Sequence, residues 1–134
     1  MDIVIAMGAC TDSNYAKQYN LPGTYCPIAD FELCRRAADE CERLGVNYRV
    51  GNIFSSDVFY NDCYSGMEWA KMGVLGVEME SAALYCNAAR AGKKALCICT
   101  VSDSFVEEGI NLTADERRTA FTKMMEIALE IAEE

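Results

Sequence analysis

The chain has 134 residues, of which 51% are hydrophobic and 25% are charged, so it can form one domain with a buried core. Its formal net charge of −9 argues against binding to nucleic acids or anionic membranes, because both need a basic surface. The start, MDIVIAMGAC, lacks the basic residues and long apolar stretch of a secretory signal, and no apolar run has the length of a membrane span. We therefore predict a single cytoplasmic domain over residues 1–134.

The cysteines and the missing histidine limit the metal sites and acid–base groups that the chain can form. The eight cysteines lie mostly inside apolar segments and form no CxxC pair, and there is no histidine. Zinc sites draw on closely spaced Cys or Cys/His pairs, so we predict no metal and interpret the cysteines as reduced, buried hydrophobic residues. Without imidazole, acid–base chemistry must come from carboxylates, cysteine, tyrosine or lysine.

The first half of the chain predicts two strands and two helices. Residues 2–7 are apolar and β-branched, which predicts a buried strand that ends at Gly8. After a polar loop, Asp30 predicts the N-cap of a helix that stops at Gly45. A strand over 46–56 and a helix over 63–72 follow.

The second half continues the alternation. We predict a strand over 74–79, a helix over 81–92 and an apolar strand over 94–102. Thr113 and Glu116 resemble a capping box for a last helix that runs to the end of the chain. This alternation predicts an α/β fold in which helices lie on the faces of a central sheet.

The first and last strands point to a larger sheet. Fully apolar strands such as DIVIA and ALCICTV are usually paired on both sides, yet nothing precedes the first one to cover its edge. We therefore expect a partial domain that lacks N-terminal strands, and a homo-oligomer rather than a monomer.

Polar and aromatic residues follow three of the predicted strands. They are Asp57, Phe59 and Tyr60, then Glu78 and Glu80, then Ser102 and Asp103. If the three strand ends are neighbours, the set suits a flat heterocycle attached to a polyhydroxylated group, since rings stack and carboxylates accept hydrogen bonds from hydroxyls. Each residue also has an ordinary interpretation: Asp103 could brace a loop, Glu80 could start a helix, and Phe59 could be core.

Five segments together resemble the bacterial-type (hexameric) purine nucleoside phosphorylases. They are collinear and cover essentially the whole chain: MGACTDS at 7–13, GNIFSSDVFY at 51–60, GVEMESAALY at 76–85, CTVSD at 99–103 and ADERRTAF at 114–121. VEME also occurs across the wider superfamily of nucleoside phosphorylases and nucleosidases. The resemblance corresponds to the C-terminal three-fifths of such an enzyme. It implies the phosphorylase/hydrolase-like fold, with a mixed central sheet and flanking helices, lacking its N-terminal strands.

The resemblance implies a purine and ribose pocket. Phe59 would stack on the purine, Val77, Glu78 and Met79 would line the pocket, and Glu80 would hold the ribose hydroxyls. We therefore predict that Phe59, Glu80 and Asp103 face one cavity.

The catalytic roles also come from the resemblance. Asp103, beside Ser102, would be the general acid that protonates the departing base, and Arg117 would approach Asp103 and assist the proton transfer. Phosphate would be the co-substrate and nucleophile, with no other cofactor.

The phosphate half of the family's site corresponds to segments upstream of this chain. Three interpretations follow: a truncated purine nucleoside phosphorylase, an inactive nucleoside-binding or assembly module, or a nucleosidase in which water replaces phosphate. GACTDS and the pairing of Asp103 with Arg117 favour a phosphorylase over a nucleosidase.

Overall fold

A computed structural model describes residues 3–60, 66–104 and 113–132, apart from the side chains of residues 116–120. Its strands are β1 (Ile3–Thr11), β2 (Tyr48–Ser55), β3 (Val77–Glu78) and β4 (Cys97–Thr100). Its helices are α1 (Phe31–Leu44), α2 (Gly66–Lys71), α3 (Ser81–Arg90) and α4 (Ala114–Ala132), with a 3-10 turn at Tyr15–Tyr19. The strand order is β3-β2-β1-β4, with β1, β2 and β3 parallel and β4 antiparallel to β1. The predicted α/β fold with a mixed sheet is confirmed.

Strand β1 is central, as predicted, but it does not end at Gly8. An irregularity between Ala6 and Gly8 leaves Met7 without a partner on β2, and pairing then continues to Thr11. Beyond this bulge, segment 27–29 replaces β4 beside β1, through the bonds Ala9 N to Pro27 O (2.9 Å) and Ala29 N to Met7 O (3.1 Å). The bulge inserts one residue, so the positions of β1 that face α3 change from even to odd numbers. Ala9 therefore joins the same core as Ala6.

Helix α1 has both of its predicted ends. The Asp30 side chain accepts a hydrogen bond from Leu33 N at 3.0 Å, which satisfies one of the free N–H groups of the first turn. Gly45 adopts a left-handed conformation with φ of 64° and closes the helix.

Helices cover both faces of the sheet. On one face, α1 and α4 pack against β1 through a core that includes Ile5, Ala37 and Ile127. On the other face, α3 places Ala82 and Tyr85 against Val4 and Ala6. The alternation of Val4, Ile5 and Ala6 between the two cores is the two-residue period of a strand buried on both faces.

Several predicted elements are shorter in the structure. The predicted strand over 74–79 keeps only Val77–Glu78, and the predicted strand over 94–102 keeps Cys97–Thr100. Helix α2 covers 66–71, while residues 61–65 lie outside the described part. Glu116 of the predicted capping box likewise has no described side chain.

Strand β4 lies at the edge of the described sheet rather than inside it. Its four residues are only partly buried, although three of them are apolar. Within the described residues β4 is bonded only to β1, so the expected pairing of ALCICTV on both sides in a larger sheet stays a prediction.

The cysteines follow the predicted pattern in part. The seven cysteines in the described ranges are free; Cys34, Cys41 and Cys86 are buried as predicted, whereas Cys26 is exposed. No helix within these ranges is long and apolar enough to cross a membrane.

Candidate functional site

The carboxyl ends of β1, β2 and β3 meet at one edge of the sheet. Thr11 lies opposite Ser55, and Ser55 lies opposite Glu78. Since the three strands are parallel, the loops that follow them converge there. These loops contain TDS at 11–13, SSDVFY at 55–60 and EMES at 78–81.

Asp12 braces the loop that follows β2. Its carboxylate accepts hydrogen bonds from Ser56 Oγ at 3.0 Å and from Asp57 N at 2.9 Å. Thr11 Oγ1 adds a bond to Ser55 O at 2.7 Å. Asp12 is not among the predicted site residues, although a short run of polar residues directly after a buried strand is the signal that marks it.

Glu78 caps the N-terminus of α3. Its Oε2 accepts hydrogen bonds from Glu80 N and Ser81 N, each at 2.7 Å, and its Oε1 accepts one from Ser81 Oγ. The carboxylate thus satisfies free N–H groups at the positive end of the helix. The Glu78 side chain therefore stabilises the turn between β3 and α3.

Glu80 is held differently, although it is only two residues away. It is the N-cap residue of α3 by position, but its side chain does not cap the helix. Its carboxylate is exposed and accepts one bond of 3.2 Å, from Met79 N. Most of its capacity to accept hydrogen bonds is therefore available to a ligand.

Aromatic and apolar side chains of segments 59–60 and 77–79 lie open to solvent. Phe59 is 74% exposed and Tyr60 is 89% exposed, and their rings meet edge to face at 4.8 Å. Val77 and Met79 are also exposed large hydrophobic residues. The interpretation of Phe59 as core is therefore wrong, whereas a stacking role stays a prediction.

Ser102 and Asp103 do not follow a neighbouring strand end. Because β4 is antiparallel to β1, its last residue, Thr100, lies opposite Ile3 at the start of β1 rather than near Thr11. The expectation of three adjacent strand ends is wrong on this point. Ser102 Oγ donates a hydrogen bond to Asp103 Oδ2 at 2.9 Å, and Asp103 is exposed.

Arg117 belongs to α4, but its side chain is outside the described part, so its approach to Asp103 stays a prediction. The single cavity shared by Phe59, Glu80 and Asp103 also stays a prediction. Two pockets of about 160 and 190 Å³ in the described part lie beside α3 and are lined by other residues, among them Tyr19, Tyr25 and Arg90.

No cluster of three or more potential ligands for a metal ion occurs in residues 3–60, 66–104 and 113–132. The carboxylates of Glu78 and Glu80, which we call the acidic edge, instead influence the pKa values of two thiols on β4. The pKa of Cys97 is raised first by its contact with Cys99, then by burial, and then by the negative charges of Glu78 and Glu80. The pKa of Cys99 is lowered by its hydrogen bond with Cys97, while burial and the charges of the same two carboxylates oppose this shift. They are therefore within electrostatic reach of the face of β4 that carries both sulfur atoms.

Three relatives of this chain among known proteins carry the same name. The chain is 50% identical over 133 residues to a purine nucleoside phosphorylase of the DeoD type from Clostridium novyi (strain NT), covering 98% of this chain and 57% of that protein. Proteins of the same name from Pectobacterium atrosepticum and Yersinia enterocolitica are 49% and 51% identical, with 96% of this chain and 54% of each relative covered. The chain thus spans slightly more than half the length of these relatives. A model of the phosphorylase superfamily matches residues 1–134, and the chain belongs to this superfamily.

Proposed function

We propose that this chain carries the nucleoside-binding part of a purine nucleoside phosphorylase. The reaction is phosphorolysis of a purine ribonucleoside or deoxyribonucleoside to the free base and (deoxy)ribose 1-phosphate. The observation that carries the proposal is the different engagement of Glu78 and Glu80, which leaves one exposed carboxylate in a chain about half identical to three purine nucleoside phosphorylases.

The contacts of the edge are consistent with recognition of a nucleoside. Glu80 accepts hydrogen bonds from the ribose hydroxyls, because its oxygens have few protein partners. Phe59 stacks on the purine, and Val77, Glu78 and Met79 form the wall beside it. The bonds of Asp12 to the 55–57 loop hold the segment that leads to Phe59.

In the reaction, the C–N glycosidic bond breaks and phosphate oxygen forms the new bond to the sugar. The electron pair of the broken bond stays on the purine, and the carboxyl of Asp103 donates a proton to the imidazole-ring nitrogen of the base. Ser102 orients this carboxyl through its hydrogen bond, and Arg117 assists the proton transfer. Phosphate is the only co-substrate.

We further propose that residues 1–134 act as one unit and that the chain functions as an oligomer. Strand β4 exposes an apolar edge, and such edges favour pairing with another chain. Assembly would also bring further residues to the acidic edge, where a phosphate dianion needs positive charge.

The test is inosine cleavage with and without phosphate, followed by chromatography of hypoxanthine and ribose 1-phosphate. Phosphate-dependent release that falls in Glu80→Gln but not in Asp39→Asn, an exposed carboxylate on α1, supports the proposal. Release without phosphate would instead identify a nucleosidase. Inosine binding without turnover, measured by titration calorimetry, would identify a nucleoside-binding module and refute a phosphorylase role for the chain alone.

A further inference from the structure

Two cysteines lie side by side on β4. Cys97 and Cys99 are two positions apart, so their side chains project to the same face of the strand. Their Sγ atoms are 3.5 Å apart. Both are partly buried against the core under α3, and the proposed function uses neither.

The backbone at this pair is tied to β1 through a side chain. Cys97 N donates its hydrogen bond to the hydroxyl of Tyr85 at 3.0 Å, and that hydroxyl in turn donates to Ala6 O. A side chain thus replaces a direct bond between β1 and β4 at this point. In the described sheet, β4 also has no strand on its outer side.

The Cα spacing of the pair lies at the upper limit for a disulfide. Residues two apart on a strand have Cα atoms about 6.4–6.8 Å apart. Disulfides occur at Cα separations of about 4.4–6.8 Å. A disulfide also needs Cβ atoms about 3.5–4.5 Å apart, so closing the bond contracts the strand between Cys97 and Cys99 by about 2 Å. In the described sheet no strand on the outer side of β4 opposes this contraction.

The two thiols also differ in character. The hydrogen bond between the two thiols lowers the pKa of Cys99 and raises the pKa of Cys97. Burial opposes the thiolate at Cys99, and so do the charges of Glu78 and Glu80. Cys99 is therefore the attacking sulfur and Cys97 the resolving one.

We propose that Cys97 and Cys99 form a redox-active pair that exchanges with low-molecular-weight disulfides such as oxidised glutathione. The Cys99 thiolate attacks one glutathione sulfur, the glutathione S–S bond breaks, and one glutathione thiolate leaves. Cys97 then loses its proton to that thiolate and attacks Cys99 Sγ, which expels the second glutathione. The two protein thiols are oxidised by two electrons, and oxidised glutathione is reduced to two molecules of glutathione.

The resulting disulfide is easily reduced, because a bond closed at the limit of the permitted spacing is strained. A reversible site is thus expected rather than a structural cross-link. This inference does not depend on the proposed reaction with nucleosides.

Peptide mapping gives a direct test, because the tryptic peptide 95–117 contains Cys97 and Cys99 as its only cysteines. The native protein is treated with oxidised glutathione, alkylated and digested. We expect peptide 95–117 to carry no alkyl groups. Its mass should be about 2 Da below that of the reduced, unalkylated peptide, because two hydrogens are lost. Brief treatment with dithiothreitol before alkylation should return it to the doubly alkylated form. Exposed Cys26 reports delivery of the oxidant by acquiring glutathione.

Variants separate the two roles. In Cys97→Ser, glutathione should remain attached to Cys99, because no resolving thiol is present. Cys26→Ser should leave the oxidation of peptide 95–117 unchanged. Full alkylation of Cys97 and Cys99 under conditions that modify Cys26 would overturn the proposal, as would a Cys97→Ser protein whose Cys99 takes up no glutathione.

Discussion

The different engagement of Glu78 and Glu80 makes a quantitative prediction about two carboxylates that are two residues apart. Glu78→Ala removes the acceptor for Glu80 N, Ser81 N and the Ser81 hydroxyl. Loss of a capping side chain costs about 0.5–2 kcal/mol, and loss of a negative charge at a helix N-terminus costs about 0.3–1 kcal/mol. We expect the free energy of unfolding to fall by about 1–3 kcal/mol.

Glu80→Ala should weaken inosine binding and leave the free energy of unfolding nearly unchanged. The change removes one hydrogen bond of 3.2 Å from an exposed carboxylate, so stability should change by less than about 0.5 kcal/mol. Inosine binding should weaken by about 1.5–3 kcal/mol, or roughly 10- to 150-fold in Kd, because a charged hydrogen bond to ribose is lost. Binding of hypoxanthine, which has no ribose, should change little.

The assays are urea unfolding followed by circular dichroism, and titration calorimetry with inosine and hypoxanthine. Equal destabilisation by the two substitutions would refute the assignment of Glu78 as the cap of α3. Equal loss of inosine and hypoxanthine binding in Glu80→Ala would refute the ribose contact. Glu80→Gln should reproduce the binding loss with nearly the original side-chain volume.

Three further predictions concern other parts of the molecule. Tyr85→Phe should lower the free energy of unfolding by about 1–3 kcal/mol, because Ala6 O and Cys97 N lose their shared partner, while exposed Tyr60→Phe should have little effect in the same urea experiment. In a preparation that turns over, Asp103→Asn should reduce cleavage of inosine about 100-fold or more and affect substrates with a good leaving group less; equal losses would contradict the acid role. Light scattering at micromolar concentration should give a mass above the 14.8 kDa of one chain, and a monomer would contradict the proposed pairing through β4.

The sequence predicted best those elements whose signals are local. Helix α1 is an example, because Asp30 and Gly45 satisfy its two ends within a few residues. The alternation of strands and helices was likewise enough to predict an α/β fold with helices on the faces of a sheet.

Features that depend on distant contacts were not predictable in this way. The extension of β1 past Gly8 depends on pairing with both β2 and the 27–29 segment. A run such as CICT has the same composition whether it pairs parallel or antiparallel, so the direction of β4 was not predictable from periodicity. The division of roles between Glu78 and Glu80 also required coordinates, because either could cap a helix that begins at Ser81.

The antiparallel direction of β4 changes the reason for which Asp103 could serve the same site as Glu80. A common strand end does not bring them together, since Thr100 lies opposite Ile3. A common face of the sheet is the better argument. Cys97, Cys99 and Val101 all pack against the core under α3, and α3 begins directly after Glu80. Continuing this two-residue period would direct position 103 to that face as well. A nucleoside gripped at the start of α3 would then meet the acid across the face of the sheet rather than along its edge.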